Sequence, residues 1–166
     1  MIPWFGTARH AFSRALLIGV LGIGPAGSAA AGGPALQLVG AEDQTLELSL
    51  EQLEAMPQVT VATENEFSDG VVNYRGPMVR DVLALVGLEQ LDEVRFTAAN
   101  DYFVDIPTED FTSYDAILAM EADGEKLGRR EKGPLWLMYP ISDHSELRDP
   151  VYLRRLIWQV VRIEAP

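Results

Sequence analysis

A short apolar run between two prolines most constrains how this chain can fold. Pro134 and Pro140 enclose five large apolar residues, Leu135-Trp136-Leu137-Met138-Tyr139. A continuous apolar run of this length between chain breakers is typical of a strand buried on both faces. The residues before it, Arg129-Arg130-Glu131-Lys132, are all charged and are followed by Gly133. They predict a loop that presents functional groups at the edge of a pocket.

The rest of the chain divides into short strands and shorter helices. Four short helices are predicted. Three of them begin at a capping box at Ser49–Gln52, at the Gly76-Pro77 pair and at Thr108 as a cap, and the fourth covers residues 151–156. The Gly76-Pro77 helix is expected to place Pro77 in its first turn and to stop at Gly87. Many short strands with few helices predict a mixed α+β fold. The predicted strands, besides the apolar run, are 35–40, 45–48, 58–63, 71–74, 93–99, 102–106, 116–121 and 157–163.

The composition excludes several kinds of site. The chain has no cysteine, so it has no disulfide, no thiolate metal site and no cysteine nucleophile. Its two histidines, His10 and His144, exclude a histidine-rich metal site. The net charge of -12 disfavours nucleic acid and anionic membranes, because both repel an acidic surface.

The first 31 residues predict an export signal of the Sec type. Arg9 and Arg14 give a basic start, residues 15–24 form a short apolar core, and residues 28–31 are small. The two arginines are not adjacent, so a twin-arginine signal is not predicted. We therefore expect a periplasmic or secreted protein, exported unfolded, with residues 32–166 as its single domain and no membrane contact after cleavage. An uncleaved N-terminal anchor is the alternative.

Four segments in a fixed order carry a resemblance to a known family. They are residues 49–53, residues 74–83, residues 98–102, and residues 116–119 leading through Asp123-Gly124 to Gly133-Pro134-Leu135-Trp136. From Leu48 to Ile163 the chain resembles the molybdopterin-binding domain of the sulfite oxidase family, in particular its small exported bacterial members. The resemblance implies an α+β, sulfite oxidase-type fold built of mixed, curved β-sheets with short helices.

The resemblance implies oxygen-atom transfer at molybdenum, but this chain departs from the pattern that supports it. The family holds the metal with a cysteine thiolate, and that position falls at Thr63 or Glu64. A carboxylate is a hard ligand and does not replace a thiolate. Family members have the pattern His-Gly-x-Pro-x-Arg in the segment that corresponds to residues 131–136. Glu131 then stands at the histidine position, Lys132 at the glycine position and Trp136 at the arginine position. Proteins that acquire this cofactor in the cytoplasm are usually exported folded, which a Sec-type signal does not provide.

Three loops are the candidate walls of a cofactor-binding or ligand-binding cleft. The loops are residues 63–67, 100–102 and 129–133, and their polar side chains can bind a ligand. The simpler explanations for these polar residues are a solvated acidic loop in the first, turn chemistry in the second and surface ion pairs in the third. The aromatic side chains of Trp136, Tyr139 and Trp158 are expected in the core. The candidate binding residues are Thr63, Glu64, Asn65, Asn100, Tyr102, Arg129, Arg130 and Lys132.

Three functional hypotheses follow. The first is an exported sulfite oxidase-like domain without catalytic molybdenum, which acts as a small-ligand-binding, sensory or accessory protein. It expects no catalytic residue, no metal site and no bound cofactor, and its partner is an unidentified small ligand or protein. The second is a molybdopterin-dependent oxidoreductase that holds its cofactor at a site without cysteine. The third is a structural or interaction domain that presents an acidic surface.

Overall fold

The computed structural model describes Met1, residues 34–40 and residues 44–166. The predicted export signal, apart from Met1, and its cleavage site lie outside the described residues. Within the described part of the chain, no helix is long and apolar enough to cross a membrane.

The largest sheet has five strands and joins the two ends of the domain. Its strand order is β2-β1-β11-β5-β6, with β1 and β11 parallel and every other pair antiparallel. The C-terminal strand therefore lies at the centre of the sheet, between the first strand and the β5–β6 hairpin. The strands are β1 (Leu36–Val39), β2 (Thr45–Leu48), β5 (Glu93–Ala98), β6 (Phe103–Pro107) and β11 (Val160–Glu164).

Two smaller sheets complete the β-structure. The order of the four-stranded sheet is β3-β4-β8-β9, and the remaining two strands, β7 and β10, form an antiparallel pair. Asp123 and Gly124 connect β8 to β9 with φ angles of 49° and 84°, so this predicted hairpin is confirmed. The strands are β3 (Gln58–Thr63), β4 (Val72–Pro77), β7 (Ile117–Ala119), β8 (Glu121–Ala122), β9 (Glu125–Lys126) and β10 (Trp136–Met138).

The helices are short and lie between the strands. The predicted capping box at the first helix is confirmed, because the Ser49 hydroxyl accepts from the Gln52 amide at 3.2 Å and the Gln52 side chain accepts from the Ser49 amide at 2.8 Å. Short 3-10 turns cover Leu88–Gln90, Arg129–Glu131 and Ser145–Arg148. The α-helices are α1 (Leu50–Glu54), α2 (Val79–Leu83), α3 (Glu109–Ser113) and α4 (Pro150–Leu153).

The proline-bounded run is a core strand, as predicted. All three residues of β10 are buried, and Leu135 and Tyr139 on either side are fully buried. On the neighbouring β7 every residue is buried too, and β4 lies so close to it that a Cβ at Gly76 would stand 1.9 Å from the Leu118 carbonyl oxygen. The mixed sheets and short helices confirm the predicted α+β class.

Four local predictions are wrong in detail. Pro77 ends β4 opposite Gln58, and α2 begins only at Val79, because sheet pairing holds Pro77 in an extended conformation. The helix ends at Leu83 rather than at Gly87. Thr108 precedes α3 but does not cap it, because its hydroxyl donates to the Leu91 carbonyl instead. The predicted 116–121 strand is divided between β7 and β8 at Met120.

Candidate functional site

An open pocket of about 580 Å³ lies where the β5–β6 turn, the β3–β4 loop and the chain around α4 meet. Its walls include three aromatic side chains, those of Phe67, Tyr102 and Trp158, which are 39%, 48% and 38% exposed. Large aromatic surfaces left open to solvent and facing one hollow are typical of a binding site rather than of a folding core. The remaining lining residues are Glu66, Ala98, Asn100, Pro150, Leu153, Arg154, Leu156 and Ile157.

Asn65 fixes the loop that carries Phe67. The Asn65 Oδ1 atom accepts from the Phe67 amide at 2.8 Å, and its Nδ2 donates to the Tyr74 hydroxyl at 3.0 Å. The same residue donates its own amide to the Ser68 hydroxyl at 3.2 Å. An asparagine that bonds its own backbone two residues ahead forms a stable turn without help from a sheet. Asn65 is therefore a positioning residue for the pocket wall, and its side chain is already engaged.

The β5–β6 turn holds Asn100 and Tyr102 on the opposite side of the pocket. Asp101 has a φ of 64°, in the left-handed region that aspartate tolerates better than most residues. The Asn100 Oδ1 atom accepts from the Tyr102 amide at 3.2 Å, and the Tyr102 hydroxyl lies 3.5 Å from the Arg154 carbonyl oxygen. Both predicted residues thus line the pocket, and Tyr102 also contacts the chain around α4.

Lys132 lies behind the aromatic wall rather than in the open pocket. Its Nζ atom is 4.7 Å from the ring centre of Phe67, 4.9 Å from that of Trp136 and 5.8 Å from that of Trp158. An ammonium placed over aromatic faces at these distances is attracted by their quadrupoles. Lys132 and these three rings form what we call the lysine–aromatic cluster. Two of its rings, those of Phe67 and Trp158, are also pocket walls.

Trp136 belongs to the core, as predicted. It is 3% exposed, its Nε1 donates to the Leu156 carbonyl at 3.1 Å, and its ring meets Tyr74 edge-on with the ring centres 5.5 Å apart. Tyr139 is fully buried and donates its hydroxyl to Asp110 at 2.8 Å, so it too is in the core. For Trp158 the same prediction is wrong, because its ring packs edge-on against Phe67 at the open pocket and remains partly exposed.

Thr63 and Glu64 lie outside the aromatic pocket. The fully buried Thr63 hydroxyl donates to the Glu64 carbonyl at 3.1 Å and accepts from the Ser142 amide at 3.0 Å. The exposed Glu64 carboxylate forms an ion pair with Arg148 at 2.8 Å. Glu64 and Arg148 border a smaller hollow of about 290 Å³, which they share with Asn65 and Glu66. Both predicted side chains are therefore engaged within the protein.

Arg129 and Arg130 are placed apart from the other candidates. Arg129 lines a separate hollow of about 700 Å³ together with Ser49, Lys126 and Pro134. Its carbonyl oxygen accepts from the Gln159 side chain at 2.8 Å, and the Lys132 carbonyl accepts from the Gln159 amide at 3.1 Å. Gln159 follows Trp158 directly, so it ties this loop to the back of the aromatic pocket. Arg130 lines neither hollow.

Sequence reasoning missed the residues after position 150 that complete the pocket. Arg154, Leu156 and Trp158 come from a segment predicted as a plain helix followed by a strand. The available signal was weak: two adjacent arginines and a tryptophan near the start of the last strand. Nothing in their spacing relates them to Phe67 or Tyr102, which lie more than fifty residues earlier.

The residues at the position of the family's metal ligand do not fit a thiolate-held molybdenum centre. The sequence contains no cysteine, and the Thr63 hydroxyl and Glu64 carboxylate already have protein partners. Where the resemblance places an arginine, Trp136 is buried beneath the Lys132 ammonium. Among the described residues, no group of three or more histidine, aspartate or glutamate side chains is arranged to hold a metal ion.

Comparison with known proteins gives the family. A search of curated proteins finds no match to the chain. The family model described as the oxidoreductase molybdopterin binding domain matches residues 34–142, about two thirds of the chain. That range includes ten of the eleven strands that the structure describes, and it ends before α4 and β11. The chain therefore belongs to the oxidoreductase molybdopterin-binding domain family, whose members bind molybdopterin.

Proposed function

We propose that this protein is a ligand-binding member of its family that does not hold catalytic molybdenum and acts as a sensory or accessory domain. The observation that carries the proposal is the open pocket walled by Phe67, Tyr102 and Trp158. Its volume of about 580 Å³ lies in the range of small-molecule sites, about 300–1,000 Å³. Exposed aromatic walls above an apolar floor suit a ligand that contains a ring.

The chemistry at the family's metal position supports the same proposal. A hydroxyl or carboxylate donates less electron density to a soft metal than a thiolate, so neither Thr63 nor Glu64 reproduces the metal's usual ligand field. The buried Thr63 hydroxyl is also one of the contacts that hold Ser142 in place. A protein that binds its ligand only in the aromatic pocket does not require a thiolate at position 63 or 64.

The pocket can be tested with a neutral fluorescent probe. N-phenyl-1-naphthylamine becomes emissive in apolar sites, and we expect saturable binding with one probe per chain. Tyr102→Ala should weaken this binding about tenfold, because it removes one aromatic wall. Phe103→Ala is the matched control, because Phe103 is the next residue, is 52% exposed and does not line the pocket. Equal affinity in the wild type and both variants would refute the proposed site.

Metal analysis separates this function from a molybdenum oxidoreductase. We expect far less than one molybdenum per chain in protein purified from the exporting host under conditions that load other molybdoenzymes. Stoichiometric molybdenum together with extractable pterin would overturn the proposal and favour an enzyme.

We further propose export to the periplasm or the medium, with cleavage near Ala31. The basic, apolar and small segments of residues 1–31 support this proposal. Cell fractionation followed by N-terminal sequencing is the test. A chain that stays in the cytoplasm, or a membrane-bound chain that retains its N-terminus, would contradict it.

A further inference from the structure

The basic residues of the folded domain divide into two groups. Eleven of the 13 lysines and arginines lie after residue 31, in an acidic chain with 25 aspartates and glutamates. Seven of those eleven form ion pairs within 3.0 Å: Arg75, Arg80, Arg95, Lys126, Arg148, Arg155 and Arg162. The other four form no ion pair with any described residue: Arg129, Arg130, Lys132 and Arg154.

Two of these four cations, Arg154 and Lys132, lie at the aromatic pocket. Arg154 lines the pocket itself, and Lys132 lies behind two of its aromatic walls. The loop of Arg129 and Arg130 is held to Gln159, the neighbour of Trp158. Where carboxylates outnumber cations about two to one, a basic side chain finds a partner easily. Two cations without partners beside one aromatic pocket, Arg154 in its lining and Lys132 behind its wall, therefore indicate an external anion as the partner.

Resting on the proposed ligand-binding function, we infer that the ligand of this pocket is an aromatic monoanion. Its ring lies against Tyr102 and Trp158, and its carboxylate or sulfonate accepts hydrogen bonds from the Arg154 guanidinium. A guanidinium at a pocket rim offers a fork of N–H donors that matches such a group. The Lys132 ammonium adds positive potential through the aromatic wall without contacting the ligand.

One acidic group at the rim limits the charge that the site accepts. Glu66 lines the same pocket as Arg154, and it forms no ion pair with any described residue. Arg154 and Glu66 both line the pocket and Lys132 lies behind its aromatic wall, so the three groups together carry a single positive charge. A monoanion matches that balance, whereas a dianion brings a second negative charge towards Glu66.

Three naphthalene probes that differ in charge test the inference. They are 1-naphthylacetate, 2-(1-naphthyl)ethanol and 1-naphthylmethylamine, which at pH 7 are anionic, neutral and cationic. Dissociation constants are measured by calorimetric titration of the purified mature chain. We expect the anion to bind about tenfold more tightly than the alcohol, and the amine to bind more weakly than the alcohol. Raising the salt concentration should weaken binding of the anion but not of the alcohol.

Two arginine variants localise the effect. Arg154→Gln should remove the preference for the anion, so that this variant binds the anion and the alcohol with affinities within about twofold of each other. Arg130→Gln makes the same change in net charge on an arginine that does not line the pocket, and it should retain most of the preference. Circular dichroism confirms that both variants fold.

The outcomes separate this inference from the function on which it rests. If the three probes bind equally, or the amine binds best, the inference is wrong while the pocket stands. If Arg130→Gln loses the preference as fully as Arg154→Gln, the charge is not recognised by Arg154 and the inference also fails. If no probe binds, the proposed ligand-binding function fails, and the inference fails with it.

Discussion

Replacing Lys132 by methionine tests whether the lysine–aromatic cluster stabilises the domain. Methionine keeps an unbranched apolar stem that can lie along the same rings, but it removes the ammonium. Both residues have a Cβ, so the cost of the left-handed conformation at position 132, with φ of 69°, is the same in wild type and variant. The substitution therefore isolates the attraction between the charge and the rings.

The expected size of the effect follows from the geometry. Two ring centres lie within 5 Å of the Nζ atom, at 4.7 and 4.9 Å, and a third lies at 5.8 Å. A single cation–π contact contributes about 0.5–1 kcal/mol when exposed and about 2 kcal/mol when desolvated. Because Lys132 is half-buried, we expect Lys132→Met to lower the free energy of unfolding by about 1 kcal/mol. For a domain of this size that is a fall in Tm of about 4 °C.

Urea unfolding of the mature chain, followed by tryptophan fluorescence, measures the effect. Trp136 and Trp158 both belong to the cluster, so their emission reports on it directly. Lys126→Met is the control, because Lys126 is 72% exposed and pairs with Glu54 on the surface, where solvent screening leaves an ion pair little effect on stability. If Lys132→Met is as stable as the wild type, or more stable, the cluster does not stabilise the fold and the reasoning is refuted.

Two further substitutions test the core around β10. Burial, followed by the neighbouring Asp110 carboxylate, raises the pKa of Tyr139 well above its usual value near 10, so the native state keeps a proton that the unfolded chain loses. The stability linked to this proton is complete below pH 10 and is lost as the pH rises further. We therefore expect Tyr139→Phe to make the free energy of unfolding fall less steeply above pH 10, by about 1.4 kcal/mol per pH unit, in urea titrations. An unchanged slope would contradict this expectation. Gly133→Ala places a Cβ 2.0 Å from the Leu127 carbonyl oxygen. We expect it to lower the free energy of unfolding by roughly 3 kcal/mol and therefore Tm by about 10 °C. An unchanged Tm would show that the loop adjusts to the extra methyl group without cost.

Local signals made much of the fold predictable. The Ser49–Gln52 capping box depends on residues three apart, and the Asp123-Gly124 turn depends on two neighbours, so both could be read directly from the sequence. The β10 strand was equally clear, because prolines bound an unbroken apolar run. Pro77 was placed wrongly because the partner that holds it extended is Gln58, nineteen residues earlier, and no local pattern reports that pairing.

The pocket was only half predictable for the same physical reason. Asn100 and Tyr102 could be proposed from a turn signal and from the resemblance to the family. The opposite side depends on how the chain after position 150 packs against the Phe67 loop, which is a contact between residues distant in sequence. The chain after position 150 also lies beyond residues 34–142, so the family match does not describe it. The part of the pocket that the chain after position 150 forms is therefore the part that sequence patterns describe least.

Lys132 and Trp136 illustrate why residue-by-residue comparison misjudges this site. Taken alone, the tryptophan at the family's arginine position means that a positive charge has been lost. In the folded protein the Lys132 ammonium lies 4.9 Å from the Trp136 ring centre, so a cation is present in the same neighbourhood but comes from a residue four positions earlier. The aromatic rings now separate that cation from the open pocket. The two departures from the family pattern thus form one arrangement, in which a positive charge lies behind the aromatic wall of the pocket.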